Sequence, residues 1–155
     1  MLKQAINGNG EKQVYGAESD ISKTLSKSKI MEDEIEKNLK DYKESGEKTV
    51  TYDGSVSLYG KDNIYDLDLS YSVGKASYSM TIIEETKTTG FWFFKKTKSR
   101  YVINVTVSDV YNFDEYRNDQ SLGSMLNNWG YDMQKNGNIK PYSWDATYTV
   151  YKKWR

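Results

Sequence analysis

The sequence predicts an α+β domain: a long N-terminal amphipathic helix packed on a curved antiparallel β-sheet, a meander or partial barrel, with a second short helix before the last strand. Three observations carry this. Apolar spacing changes from steps of three and four residues to alternation after Gly46. Fourteen Tyr and four Trp stand beside a single Pro in 155 residues, which suits half-buried pleated surfaces and disfavours disorder. A short helical pattern then separates the last two strand patterns.

Taken in order, residues 1–16 are rich in Gly, Asn, Gln and Lys, include the turn-prone run Asn7-Gly8-Asn9-Gly10 and show no sustained period. They read as a flexible leader, followed by a single α+β domain over 17–155. From about residue 20 to 42, Ile21, Leu25, Met31, Ile35, Leu39 and Tyr42 fall on one helical face, with Ser28 filling a gap in the stripe. Ser19 or Asp20 can cap the start and Gly46 supplies a left-handed stop. The outer face mixes Lys, Glu and Asp with little net sign and reads as a solvated surface.

Candidate strands cover 49–52, 55–59, 64–73, 76–85, 101–108 and 144–151, separated by Asp53-Gly54, Gly60, Gly74 and a Thr/Gly turn. Alternation is clearest in 101–107 and 144–150, so each of those strands has a core side. Leu122, Met125, Leu126, Trp129 and Met133 form the short amphipathic helix, ended by Asn136-Gly137, and Pro141 opens the return to the sheet.

Composition excludes several chemistries. The chain has no cysteine and no histidine, which removes disulfides, thiolate nucleophiles, Cys/His zinc sites and Ser-His-Asp catalysis. Any reaction must use carboxylates, Lys, Arg, Tyr, Ser or Thr; no cofactor and no metal are implied. Twenty-two basic residues balance twenty-two acidic ones, so general nucleic-acid binding is not expected. The N-terminus lacks the apolar core of a signal peptide, and no window approaches the roughly 20 apolar residues of a membrane span. As a whole protein the chain reads as soluble and unexported; as a module of a longer secreted protein it need not be.

Two clusters attract functional readings. The first is the run from Thr88 to Arg100, with four consecutive aromatics, Phe91, Trp92, Phe93 and Phe94, followed by Lys95 and Lys96. If the run is a strand, successive residues point to opposite faces, so all four cannot face one core and at least two should be exposed or bound to something. Between Thr86 and Ser108 stand Lys87, Lys95, Lys96, Lys98 and Arg100 and no acid. An aromatic tip flanked by lysines suits a hairpin entering a lipid interface. The same ingredients also suit cover by a helix or partner protein, or stacking on nucleic acid.

The second cluster follows the strand at 101–108. Asp109, Tyr111, Asp114 and Arg117 can form an acid/base pair, a phosphate clamp or a metal site. They equally suit a polar turn in which Asp109 caps local backbone, Tyr111 and Phe113 pack inward and Arg117 pairs with Asp114 or Glu115. Asp109, Asn112 and Asp114 lack the alternate-position ligands and distal Glu of a calcium loop. Asp66 and Asp68, two carboxylates on one strand face, and the amides of Asn127, Asn128 and Gln134 are further candidates with ordinary structural alternatives.

The order of Ser45-Gly46, Gly54-Ser55, Asp66-Leu67 through Gly74-Lys75, the turn from Asp109 to Asp114, Asn127-Asn128 with Gln134, and Ile139-Lys140-Pro141-Tyr142 resembles the C-terminal effector modules of bacterial polymorphic toxins. The resemblance is to the contact-dependent growth-inhibition and Rhs type and runs from about Ser28 to the C-terminus. It implies a module at the end of a large secreted protein, delivered to the envelope or cytoplasm of a competing bacterium and neutralised in the producer by a cognate immunity protein. The Asp109-x-Tyr111 element is also similar to the colicin M family, which pairs an Asp-x-Tyr-Asp run with a downstream His-Arg to cleave the lipid-linked peptidoglycan precursor. Here Asn112 replaces the second Asp and histidine is absent, which counts against the same mechanism.

The expectation is therefore a toxin domain acting at the target-cell membrane without catalysis. A carboxylate-dependent hydrolase or phosphodiesterase built on Asp109, Tyr111, Asp114 and Arg117 is the alternative. A binding or immunity-type protein with an aromatic interface is a third.

Overall fold

The alternation in 101–107 forms the middle of the longest described strand, and the other described strands are arranged around it. The computed structural model describes residues 2–58, 75–91, 93, 95–113 and 122–153. The elements are α1 (Leu2–Asn7), β1 (Gln13–Tyr15), α2 (Asp20–Ser26), α3 (Lys29–Ser45), β2 (Thr49–Ser57), β3 (Lys75–Thr89), β4 (Lys96–Tyr111), α4 (Leu122–Lys135) and β5 (Tyr142–Lys153). One sheet holds the strands in the order β1-β5-β4-β3-β2. β2 to β5 pair antiparallel, whereas β1 joins β5 in parallel, with Gln13 opposite Trp144 and Tyr15 opposite Ala146.

The expected fold class is corrected here. The molecule is mostly β, its sheet is mixed rather than antiparallel, and no single long N-terminal helix spans 20–42. Helix α2 is capped by Ser19, whose Oγ accepts from the Ser22 amide at 3.3 Å, and it ends at Ser26. Ser28, with extended backbone at φ −68° and ψ 129°, then serves as the N-cap of α3. Its side chain makes no cap hydrogen bond; the break falls where the apolar stripe lacks a member, so no apolar burial there favours one continuous helix. Gly46 ends α3 at φ 70°, the conformation its missing Cβ makes cheap.

Asp53-Gly54, which reads as a strand separator, lies inside β2. A Cβ on Gly54 would come within 2.6 Å of the Tyr78 ring directly across the ladder. The glycine is there because an aromatic ring covers it, not because the chain turns. The N-terminal segment contributes α1, with Ala5 fully buried, and β1. The candidate strand at 64–73 lies outside the described residues.

One sheet face is the core. Tyr78, Met80, Ile82, Ile103, Val105, Trp144 and Ala146 are buried there beneath Leu25, Met31, Ile35, Leu39 and Tyr42, each large side chain stabilising by roughly 1.5–3 kcal/mol. Polar groups fix the register of α3 on the sheet. Asn38 Nδ2 donates to the Tyr78 hydroxyl (3.2 Å), which donates to Glu34 Oε2 (2.8 Å). The Tyr42 hydroxyl donates to the Lys48 carbonyl (3.0 Å). The opposite face is hydroxyl- and amide-rich, with Thr51 and Thr81 bonded at 3.0 Å and Thr149 Oγ1 donating to Asn104 Oδ1 at 2.9 Å.

Candidate functional site

The strands around β3 and β4 do not all end together. The β2 ladder on β3 finishes at Thr49 opposite Ile83, and the β5 ladder on β4 finishes at Lys153 opposite Arg100. Among the described strands the β3–β4 ladder continues alone through Thr86/Ser99, Lys87/Lys98, Thr88/Thr97 and Thr89/Lys96. These four rungs form a two-stranded ribbon that projects from the sheet by about 14 Å, at roughly 3.4 Å per residue.

Local chemistry supports the ribbon without a core. β-Branched threonines favour extended backbone, Thr88 and Thr97 hydroxyls meet at 3.3 Å, and Thr89 Oγ1 donates to the Lys96 carbonyl at 3.3 Å. At its base the Arg100 guanidinium bonds Glu85 Oε2 at 2.8 Å and lies 4.7 Å from the Tyr151 ring centroid. The tip opens at Gly90 with φ 119°. Beyond it Phe91 is 88% exposed and Phe93 87%. Lys95 and Lys96 are exposed beside them. Trp92 and Phe94 lie outside the described residues.

The strand-end cluster is packed differently. Asp109 is half-buried, and its Oδ1 accepts from the Val110 amide at 2.8 Å. Tyr111 is buried, stacked on Tyr142 and edge-on to Phe113, each at 5.5 Å between centroids. Gln134 of α4 clasps Phe113, with Oε1 accepting its amide at 3.0 Å and Nε2 donating to its carbonyl at 3.4 Å. A Cβ on Gly130 would stand 2.4 Å from the Phe113 ring, so the glycine lets α4 sit against it. Asp109 and Tyr111 thus belong to a packed strand end. Asp114 and Arg117, like Asp66 and Asp68, lie outside the described residues.

Three groups were not singled out in the sequence. Asp145 accepts from Ser108 Oγ at 2.8 Å and pairs with Lys12 Nζ at 2.6 Å, tying residues next to β1 onto β5. Burial pushes its carboxyl up, but the hydrogen bonds from Lys12 and Ser108 outweigh this and hold it below the usual carboxylate range. Among the described residues the Tyr148 hydroxyl and Trp144 Nε1 are buried without a hydrogen-bond partner, and burial pushes the Tyr148 phenol up. Alternation in 144–150 already assigns Trp144 and Tyr148 to the core side, but not their missing partners.

Between α3 and the ribbon base lies a cleft of about 1120 Å³, lined by Leu39, Tyr42, Glu84, Tyr101 and several lysines. Lys152 pairs with Glu36 at 2.7 Å, and Lys43 lies 5.6 Å from the Tyr101 ring centroid. Burial, followed by the nearby Glu84 carboxylate, pushes both the Tyr42 and Tyr101 phenols up. Among the described residues no group of three acidic side chains is placed to hold a metal ion, and no helix is long and apolar enough to cross a membrane.

No family model and no curated protein matches this chain. Among solved structures it aligns with PaeM, a colicin M-like bacteriocin produced by Pseudomonas aeruginosa, at 15% identity and a TM-score of 0.49. The alignment covers 98% of this chain and 49% of the bacteriocin, so the chain spans about half of that protein's length.

Proposed function

We propose that this chain is an antibacterial toxin domain that acts at the target-cell membrane, permeabilising or depolarising it without catalysis. The observation that supports the membrane part is the aromatic tip of the β3–β4 ribbon. Two phenylalanines stand almost wholly in water, beyond the reach of the core, on a ribbon flanked by lysines. Leaving a large aromatic side chain in water forgoes roughly 1.5–3 kcal/mol. A bilayer interface recovers that energy, while the lysines meet the phosphates. The toxin part is supported by the sequence resemblance to polymorphic-toxin effector modules, which also brings a cognate immunity protein as the partner in the producing cell.

The test is production of the chain inside a bacterium with membrane potential followed by a voltage-sensitive dye. Growth arrest with depolarisation is expected, and Phe91→Asp with Phe93→Asp in the same chain should relieve both. Harmless production, or arrest with the potential intact, would contradict this reading.

A further inference from the structure

In an antiparallel ladder the two residues of a rung project to the same side, and successive rungs alternate sides. Applied to the ribbon, this divides its side chains into two chemically distinct faces. Rungs Thr86/Ser99 and Thr88/Thr97 place hydroxyl groups on the side continuous with the protein core. Rungs Lys87/Lys98 and Thr89/Lys96 place three ammonium groups on the other side. That side continues onto the sheet through the Glu85/Arg100 rung, with Lys153 opposite Arg100, to the half-exposed ring of Tyr151 beneath the guanidinium.

The Lys87/Lys98 rung makes this division informative. Side chains directly opposite in a ladder have Cβ atoms about 5 Å apart, and like charges there destabilise the pair. Both lysines are exposed, and each could be a threonine like its neighbours without loss of any packing. The arrangement costs the free ribbon stability and is relieved when an anionic surface lies against that side. Tyr151, a ring with a polar tip on the same side, suits headgroup depth.

We infer that the ribbon docks side-on to anionic phospholipid, with the face carrying Lys87, Lys96, Lys98, Arg100 and Lys153 on the lipid phosphates and the threonine face turned away. This rests on the membrane reading above and adds to it a lipid class and an orientation.

The experiment compares flotation of the full chain with vesicles of phosphatidylcholine alone and of phosphatidylcholine mixed with phosphatidylglycerol. Two double variants change net charge equally but on opposite faces: Lys87→Gln with Lys98→Gln, and Thr86→Glu with Thr97→Glu. The wild type is expected to prefer the anionic vesicles, and added salt should weaken that binding. The lysine variant should lose roughly tenfold or more of its anionic-vesicle binding, at about 1 kcal/mol per basic residue, while the threonine variant loses less than threefold. Equal losses would show that overall charge and not one face is read, and would overturn the inference. Equal binding of the wild type to both vesicle types, abolished by Phe91→Asp with Phe93→Asp, would overturn the inference and leave the membrane reading standing. Binding to neither would end both. Tighter, lysine-dependent binding to a single-stranded oligonucleotide would replace lipid with nucleic acid as the ligand. Salt titration of the wild type decides the electrostatic part even where a variant fails to fold.

Discussion

Strands β3 and β4 pass through two environments. From Ser77/Ser108 to Ile83/Val102 they lie in the middle of the sheet, and one side of every second rung is apolar and buried, as at Met80/Val105 and Ile82/Ile103. From Thr86/Ser99 to Thr89/Lys96 the same two strands have no neighbour among the described strands, and the alternation sorts cations from hydroxyls instead of core from solvent. The ladder geometry is continuous across the boundary; only the occupant of each face changes. A mutation should therefore affect folding on one side of Glu85 and membrane contact on the other.

The largest stability effect is expected inside the sheet. Ile103→Ala removes a fully buried side chain and should cost about 2–5 kcal/mol, read from urea unfolding. Phe93→Ala at the ribbon tip should stay within about 0.5 kcal/mol. A large loss at Phe93 would mean that the tip belongs to the fold and would erase the distinction.

Gly54→Ala places a methyl group against the Tyr78 ring, which is held by Asn38 and Glu34 and cannot swing away freely. A loss of about 1–3 kcal/mol is expected, with vesicle binding unchanged. Tyr148→Phe deletes a buried hydroxyl that has no partner among the described residues and should be neutral or stabilising by up to about 1 kcal/mol, measured in the same unfolding experiment.

The smallest effect is a pH dependence at the other side of the sheet. The folded-state carboxyl of Asp145 lies below its ordinary range through Lys12 and Ser108. Its contribution is therefore present above the unfolded-state carboxylate pKa and is lost as pH falls through the lower, folded-state value. Asp145→Asn should flatten the acid limb of the unfolding midpoint against pH, modestly because the pair is partly exposed. An unchanged acid limb would remove the Lys12–Asp145 bridge from the account.

The alternation rule applies to a strand, whereas Phe91 and Phe93 lie between β3 and β4, so their exposure follows from that placement and not from alternation. The core sides of 101–107 and 144–150 were legible because period two and burial coincide there. The projection of the ribbon was not, because it depends on where its neighbours stop, at Thr49 and Lys153, and no local pattern in β3 or β4 records that. The break before Ser28 was visible as a gap in the stripe, but helical spacing on both sides made the segment read as one helix. Parallel pairing of β1 rests on three residues opposite a strand about 130 positions later, too little sequence to carry a period. Gly54 misleads because a glycine beneath a ring and a glycine in a turn look alike until the cross-strand partner is known. In the strand-end cluster, Tyr111 and Phe113 alternate like core residues, and that alternation matches their packing. The roles of Asp109, Asp114 and Arg117 had no comparable periodic signal.

The central claim is tested most directly by dye release from vesicles containing phosphatidylglycerol, comparing the wild-type chain with one carrying Phe91→Asp and Phe93→Asp. Release by the wild type, with the variant silent yet unfolding at the same urea concentration, is the predicted result. No release by the wild type, or equal release by both chains, would contradict it.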